Sequence, residues 1–262
     1  MNFVDTHAHM YLPAFQQENG LQVSRCLKAQ VNKVVLPNVD MESMIEMKVS
    51  CKAFPDFYFP TVGLHPCDVR PDYKEVLEDL SGLGFSEGFF GKEGVAIGET
   101  GLDYYWDITF KKEQQAALEI QIDWAIERQL PLILHTRNSM SDAIAIVKNQ
   151  KVNGMKVIFH CFGGNVDEAK EIIAMDGFYL GIGGTVTYKN STLPEILKEI
   201  PLDKIVLETD APYLPPVPYR GKQNESSYIP IIAEKLAYIY RCDLAEIAAI
   251  TTQNAKMIFG WE

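Results

Sequence analysis

Along this chain, short apolar runs rich in β-branched and aromatic residues alternate with longer stretches in which apolar residues recur every three or four positions. The short runs are Phe3–Thr6, Lys33–Pro37, Phe59–Gly63, Val95–Gly98, Leu132–Leu134, Lys156–Phe159, Phe178–Ile182 and Lys204–Leu207. Most are continuously apolar rather than alternating, which predicts strands buried on both faces of a parallel sheet. The longer stretches predict amphipathic helices. Leu118, Ile122 and Ala125 fall at i, i+4 and i+7, as do Met140, Ile144 and Val147, and then Ile232, Leu236 and Ile239. Each set lines one helical face. A last helix is expected from Asp243 to Phe259.

Eight strands interleaved with helices define an α/β fold. At 262 residues, eight such units favour closure into a (β/α)8 barrel of the TIM type, which takes about 250 residues. One domain over 1–262 is expected; an open doubly wound sheet is the competing arrangement. Four prolines between Pro212 and Pro218 exclude helix and central strand there. That segment reads as a stiff loop over the face where the strands end.

The polar residues fall unevenly on this pattern. All five histidines, His7, His9, His65, His135 and His160, stand at or just beyond the C-terminal end of an expected strand. In a barrel those ends converge on one face. His7 and His9 lie two apart in extended chain and so point to the same side. Glu99 follows the fourth run among small residues, where a carboxylate is costly to bury unless paired or metal-bound. Asp210 follows the eighth run, just before Ala211-Pro212. Four histidines (His7, His9, His135, His160) with Glu99 and Asp210 suit borderline divalent ions such as Zn²⁺ or Mn²⁺. Six ligands exceed what one tetrahedral ion takes, so two ions sharing one carboxylate are expected, Mg²⁺, Mn²⁺ or Zn²⁺ among them. Such a centre acidifies water and stabilises a leaving oxygen, with Asp210 the candidate to take the water's proton and Glu99 its catalytic partner. His65 is either a further ligand or a substrate contact, and the second is expected because the other six already fill two sites; Arg137, Arg220 and Lys222, in the loops beyond the fifth and eighth strands, are also expected to contact substrate.

Charge narrows the partners. Lys and Arg total 24 against 35 Asp and Glu, a net charge of −11, so a broad duplex-gripping surface is not expected. The five cysteines are widely spaced, with no C-x-x-C pair, as in reduced cytoplasmic proteins. No apolar run reaches the roughly 18 residues that span a bilayer, so no membrane is expected. No secretory signal is read at the N-terminus, and no obligatory protein partner is evident.

With these motifs in place the chain resembles the TatD family of metal-dependent deoxyribonucleases, within the amidohydrolase superfamily. The resemblance runs through Asp5-Thr6-His7-Ala8-His9, Gly63-Leu64-His65-Pro66, Gly98-Glu99-Thr100-Gly101-Leu102-Asp103, His135-Thr136-Arg137, His160-Cys161-Phe162 and Glu208-Thr209-Asp210-Ala211-Pro212-Tyr213. Pro218-Tyr219-Arg220-Gly221-Lys222 and Thr251-Thr252-Gln253-Asn254 also match. It implies hydrolysis of DNA phosphodiesters, on short or single strands given the charge. It implies one ion on His7, His9, Glu99 and Asp210, and another on Glu99, His135 and His160. Where the family usually has Arg-Asn-x-Pro, this chain has Gln223-Asn224-Glu225-Ser226, and Gly163 replaces a frequent Ser. The metal motifs are intact. The competing function is a metal-dependent amide or ester hydrolase of a small metabolite, because an attacking hydroxide does not identify its electrophile.

Overall fold

The computed structural model describes residues 1–16, 18–91, 94–150 and 154–262. Eight parallel strands follow one another around the sheet in chain order: β1 (Phe3–Asp5), β2 (Val31–Leu36), β3 (Tyr58–Val62), β4 (Ala96–Asp103), β5 (Leu132–Arg137), β6 (Val157–Phe159), β7 (Phe178–Ile182) and β8 (Ile205–Leu207). The ring closes where Thr6 N donates to Leu207 O at 3.0 Å and Asp210 N to His7 O at 2.9 Å. The expected barrel is therefore what forms, and the open sheet is excluded.

The described helices are α1 (Pro13–Gln16), α2 (Asn19–Lys28), α3 (Met41–Ala53), α4 (Tyr73–Gly84), α5 (Lys111–Arg128), α6 (Met140–Asn149), α7 (Val166–Ile173), α8 (Leu193–Leu197), α9 (Ile229–Tyr240) and α10 (Leu244–Phe259). The faces read from periodicity are the buried ones: Leu118, Ile122 and Ala125 on α5, and Ile232, Leu236 and Ile239 on α9. Local signals fix several starts. Asp40 caps α3, accepting from Ser43 N at 2.7 Å, and Asn165 caps α7 in the same reciprocal manner with Glu168. Such capping satisfies amides that the first turn leaves open.

Inside the barrel, each strand sends one apolar side chain into a common cluster: Val4, Val35, Phe59, Ala96, Ile133, Ile158, Tyr179 and Val206. Ala255, Ile258 and Phe259 of α10, with Trp261, close this cluster from the N-terminal side of the strands. Asn254 ties α10 to the barrel, donating to Ile205 O at 2.7 Å and Leu202 O at 3.1 Å. With one end sealed by α10, the C-terminal ends of the strands are the open face.

Two strands run further than their apolar runs. β4 continues past Gly98 to Asp103, and β5 past Leu134 to Arg137, because Gly101 pairs with His135, Leu102 with Thr136 and Asp103 with Arg137. A Cβ on Gly101 would stand 2.1 Å from His135 O, so only glycine admits this close approach. A register shift between Ile97 and Thr100 has a direct consequence. Ala96 points inward, so strict alternation would turn Glu99 toward the helices; the irregularity turns it into the barrel instead.

Candidate metal centre

The inward positions above the apolar cluster are polar. On β5, Ile133 is followed two residues on by His135; past the end of β6, Ile158 is followed by His160; past β8, Val206 is followed by Glu208. Alternation thus stacks a polar floor on an apolar plug. His7, His9, Glu99, His160 and Glu208 are all buried.

Glu99 stands at the middle and divides the histidines between its two oxygens. On the Oε2 side, His7 Nε2 is 3.1 Å away and His9 Nε2 3.7 Å. Asp210 Oδ1 completes that side, 3.8 Å from His7 Nε2 and 3.5 Å from His9 Nε2. On the Oε1 side lie His135 Nδ1 at 2.9 Å, His65 Nε2 at 3.5 Å and His160 Nε2 at 3.6 Å. The rings of His7 and His160 stack at 3.5 Å between centroids.

Whether these residues suit a metal can be judged from their unmet polar atoms. Both ring nitrogens of His7 are buried and make no hydrogen bond, although Nε2 is close to Glu99. His160 Nδ1 is paired with Glu208 Oε1 at 3.0 Å, so Nε2 is the nitrogen it turns to Glu99. Buried polar atoms are almost always satisfied, so nitrogens crowded unbonded around carboxylates fit a cation site. The charges agree. Burial opposes ionisation of Glu99, yet His7, His65 and His160 hold its carboxyl well below the usual range. Burial likewise opposes charge on His160, but Glu208 and Glu99 outweigh it and push the imidazole up to about 10. Burial, reinforced by His160, pushes His7 down. The cluster therefore holds carboxylates and protons that a divalent ion can displace.

Second contacts hold these side chains in place. Glu208 Oε1 accepts from Cys161 N at 2.6 Å beside His160. Asp103 Oδ2 lies 3.0 Å from His135 Nε2. Asp5 Oδ1 accepts from His7 N at 3.2 Å and Thr209 N at 3.0 Å, stapling β1 to β8 beneath His7 and Asp210. Burial pushes the Asp5 carboxyl up to about 7 against these bonds. Asn38, fully buried, accepts from Gly63 N at 3.2 Å and donates to Asp40 O, while its own carbonyl receives Glu99 N at 2.8 Å. Sequence reasoning missed Glu208, Asp103, Asp5 and Asn38 as supporting residues. For Glu208 a signal existed, since it shares the inward parity of Val206. Asn38 carried none. Asp210 itself adopts φ 57°, a left-handed conformation that aspartate tolerates and that turns the chain out of the barrel wall.

The floor opens into a cavity of about 1380 Å³ whose walls include His9, His65, Glu99, His135, Arg137, His160 and Asp210. Arg220 and Lys222 are not among its walls. The guanidinium of Arg220 lies over the Tyr188 ring at 4.4 Å, and Lys222 Nζ is 5.7 Å from the centre of the Tyr219 ring. The proline-rich loop reaches the cavity through Tyr213 and Leu214 instead. Two prolines in it follow cis peptides, Ala211-Pro212 and Val217-Pro218.

A parallel barrel whose open face gathers imidazoles about a shared carboxylate defines a metal-dependent hydrolase. More particularly, the chain belongs to the TatD related DNase family, whose model matches residues 4–260. It is 37% identical to the metal-dependent hydrolase YabD of Bacillus subtilis (strain 168), over 97% of this chain and 98% of that protein. It is 30% identical to the 3'-5' ssDNA/RNA exonuclease TatD of Edwardsiella piscicida, over 90% of this chain and 91% of that one. Among solved structures it resembles YjjV, a TatD homologue from Escherichia coli K12, with a TM-score of 0.91 and 27% identity over 99% of this chain and 98% of the other. No helix among the described residues is long and apolar enough to cross a membrane.

Proposed function

We propose that this protein is a deoxyribonuclease that hydrolyses phosphodiester bonds of short or single-stranded DNA, with Glu99 and the histidines around it as the residues that would hold two divalent ions. The observation that carries the reading is the division of the histidines between the two oxygens of one buried carboxylate. His7, His9 and Asp210 would hold one ion on the Oε2 side, and His135 and His160 another on the Oε1 side. Bound there, Mg²⁺, Mn²⁺ or Zn²⁺ supplies Lewis acidity toward a phosphoryl oxygen and acidifies water.

The chain's own residues do the rest. Asp210, whose side chain is 15% exposed where that of Glu99 is 3%, meets the cavity and takes the proton of the attacking water as general base. Glu99 stays ionised through the reaction, because the surrounding imidazoles favour its charged form. His65 Nδ1 accepts from Cys67 N at 3.1 Å, so its one donor is Nε2, which lies beside Glu99 Oε1 on the cavity wall where it would meet a bound phosphate. Arg137 on the cavity wall neutralises substrate charge at the rim. The nuclease-named relative from Edwardsiella piscicida supports a nucleic-acid substrate, and the net charge of −11 favours short or single strands.

Incubating the protein with labelled single- and double-stranded DNA tests this, with Mg²⁺, Mn²⁺ or chelator added. Metal-dependent cleavage of single strands that chelator abolishes is the expected result. Efficient hydrolysis of small amides or esters with no action on DNA would move the protein to the metabolite-hydrolase reading.

A further inference from the structure

Beyond β4 the chain makes a short turn that carries two aromatic side chains into solvent: Tyr105 is 54% exposed and Trp106 69%. The turn is nevertheless firmly held. Asp103 Oδ1 accepts from Tyr105 N at 2.9 Å and from Trp106 N at 3.2 Å. The other oxygen of the same carboxylate lies 3.0 Å from His135 Nε2. One buried side chain thus fixes both the aromatic turn and an imidazole of the metal centre.

A cation stands with the rings. The Arg137 guanidinium lies 3.8 Å from the centre of the Tyr105 ring and 5.1 Å from that of Trp106. The two rings meet edge to face, 4.9 Å between centroids and 86° apart. Trp106 and Arg137 both line the cavity that contains Glu99 and Asp210. Among the described residues the cavity wall carries two long cationic side chains, Arg137 and Lys111, and Lys111 is paired with Asp142 at 3.0 Å, while Asp40, Glu42 and Asp68 also stand on the wall. A polyanion is repelled by these carboxylates and drawn to Arg137.

We infer that Trp106, with Tyr105 and Arg137, forms a subsite for an unstacked nucleobase adjoining the phosphate at the metal centre. The inference rests on the nuclease reading and deepens it. An indole beside a guanidinium offers a base a stacking plane and its neighbouring phosphate a charge, the pairing that single-strand binders use without sequence preference. Bases in a duplex have their faces covered by stacking and cannot lie on the indole. The subsite therefore selects single strands or frayed ends, which a metal centre alone does not.

Trp106 reports on its own occupancy. The chain has three tryptophans; Trp124 packs near Phe85 and Trp261 near Phe259, at the sealed end. In the presence of Mg²⁺ we would titrate the protein with a phosphorothioate oligothymidylate of about eight nucleotides, and with an abasic phosphorothioate strand of equal length. The thymidylate is expected to quench tryptophan fluorescence and to bind about tenfold more tightly than the abasic strand. Trp106→Ala is expected to remove that advantage and leave abasic binding, read by anisotropy of an end label, unchanged. Equal binding of the two strands by the unaltered protein, or thymidylate binding unchanged in Trp106→Ala, overturns the subsite. If Trp106→Ala also cleaves DNA as the unaltered protein does, the nuclease reading stands without it. If the unaltered protein neither binds nor cleaves either kind of strand, both readings fall together.

Discussion

The two ends of this barrel are built from the same eight strands and treat buried atoms in opposite ways. At the N-terminal end, one apolar side chain per strand packs on Ile258, Phe259 and Trp261. The polar atoms there are provided for: Asn254 reaches two carbonyls, and Lys33 Nζ lies over Phe59 at 4.3 Å and Trp261 at 4.9 Å. One layer higher, His7 makes no ring hydrogen bond, and Glu208 Oε2 is buried without a partner. Leaving such groups unpaired costs free energy that packing does not return. The first end is arranged for folding and the second for a ligand, and conflict with folding rules is expected where function resides.

The largest separation between the ends should come from Asp210→Asn. The amide keeps the shape of the side chain but cannot take a proton, so turnover should fall about 10²–10⁴-fold, the usual contribution of a general base. Thermal unfolding in chelator should be nearly unchanged. Cleavage at close to the original rate would remove Asp210 as the base.

Phe259→Ala is the mirror experiment. Phe259 belongs to the cluster that closes the barrel and stacks on Trp261 at 4.8 Å. Truncating a buried phenylalanine costs about 3–5 kcal/mol. Urea unfolding should register that loss, whereas the rate per folded molecule should hold, since nothing polar at the open face is touched. A variant of undiminished stability but lowered rate would mean that the sealed end takes part in the chemistry.

The ends also differ in how far they were legible in the sequence. Apolar runs predicted the strands because buried parallel strands must be apolar on both faces. Their lengths failed at β4 and β5, where the mostly polar stretches Glu99–Asp103 and His135–Arg137 stay in the sheet. Ladder pairing carries those stretches, and hydrophobicity does not record it. The ligand candidates could be picked out because histidine is rare and every copy fell at one end of a strand. That Glu99 faces inward depends on a register shift that no periodicity reveals. Arg220 and Lys222 were expected over the metal site from their position after the prolines. A loop's path depends on its tertiary contacts, and here Arg220 ends against Tyr188. The aromatic turn at Tyr105 and Trp106 is not legible in the sequence, because exposed rings look like ordinary core residues until their burial is known.

The smallest effect expected is also the most specific. Glu208 is fully buried, with Oε1 bonded to Cys161 N and 3.0 Å from His160 Nδ1. Gly181 leaves it room, since a Cβ there would lie 2.3 Å from Glu208 Oε2. A carboxylate behind a ligating imidazole orients the ring and raises its basicity, and loss of such a partner typically lowers metal affinity about 10- to 100-fold. Glu208→Gln preserves volume and the acceptor for Cys161 but removes the charge. Calorimetric titration should therefore show weaker binding of one ion, the one on the His160 side, with the other unaffected. Turnover should recover as metal is raised, because the residue touches neither water nor substrate. A general structural defect would lower both affinities and would not be rescued by metal. Unchanged affinity at both sites would mean that His160 needs no such support, and the assignment of His160 as a ligand would then have to be tested by its own substitution.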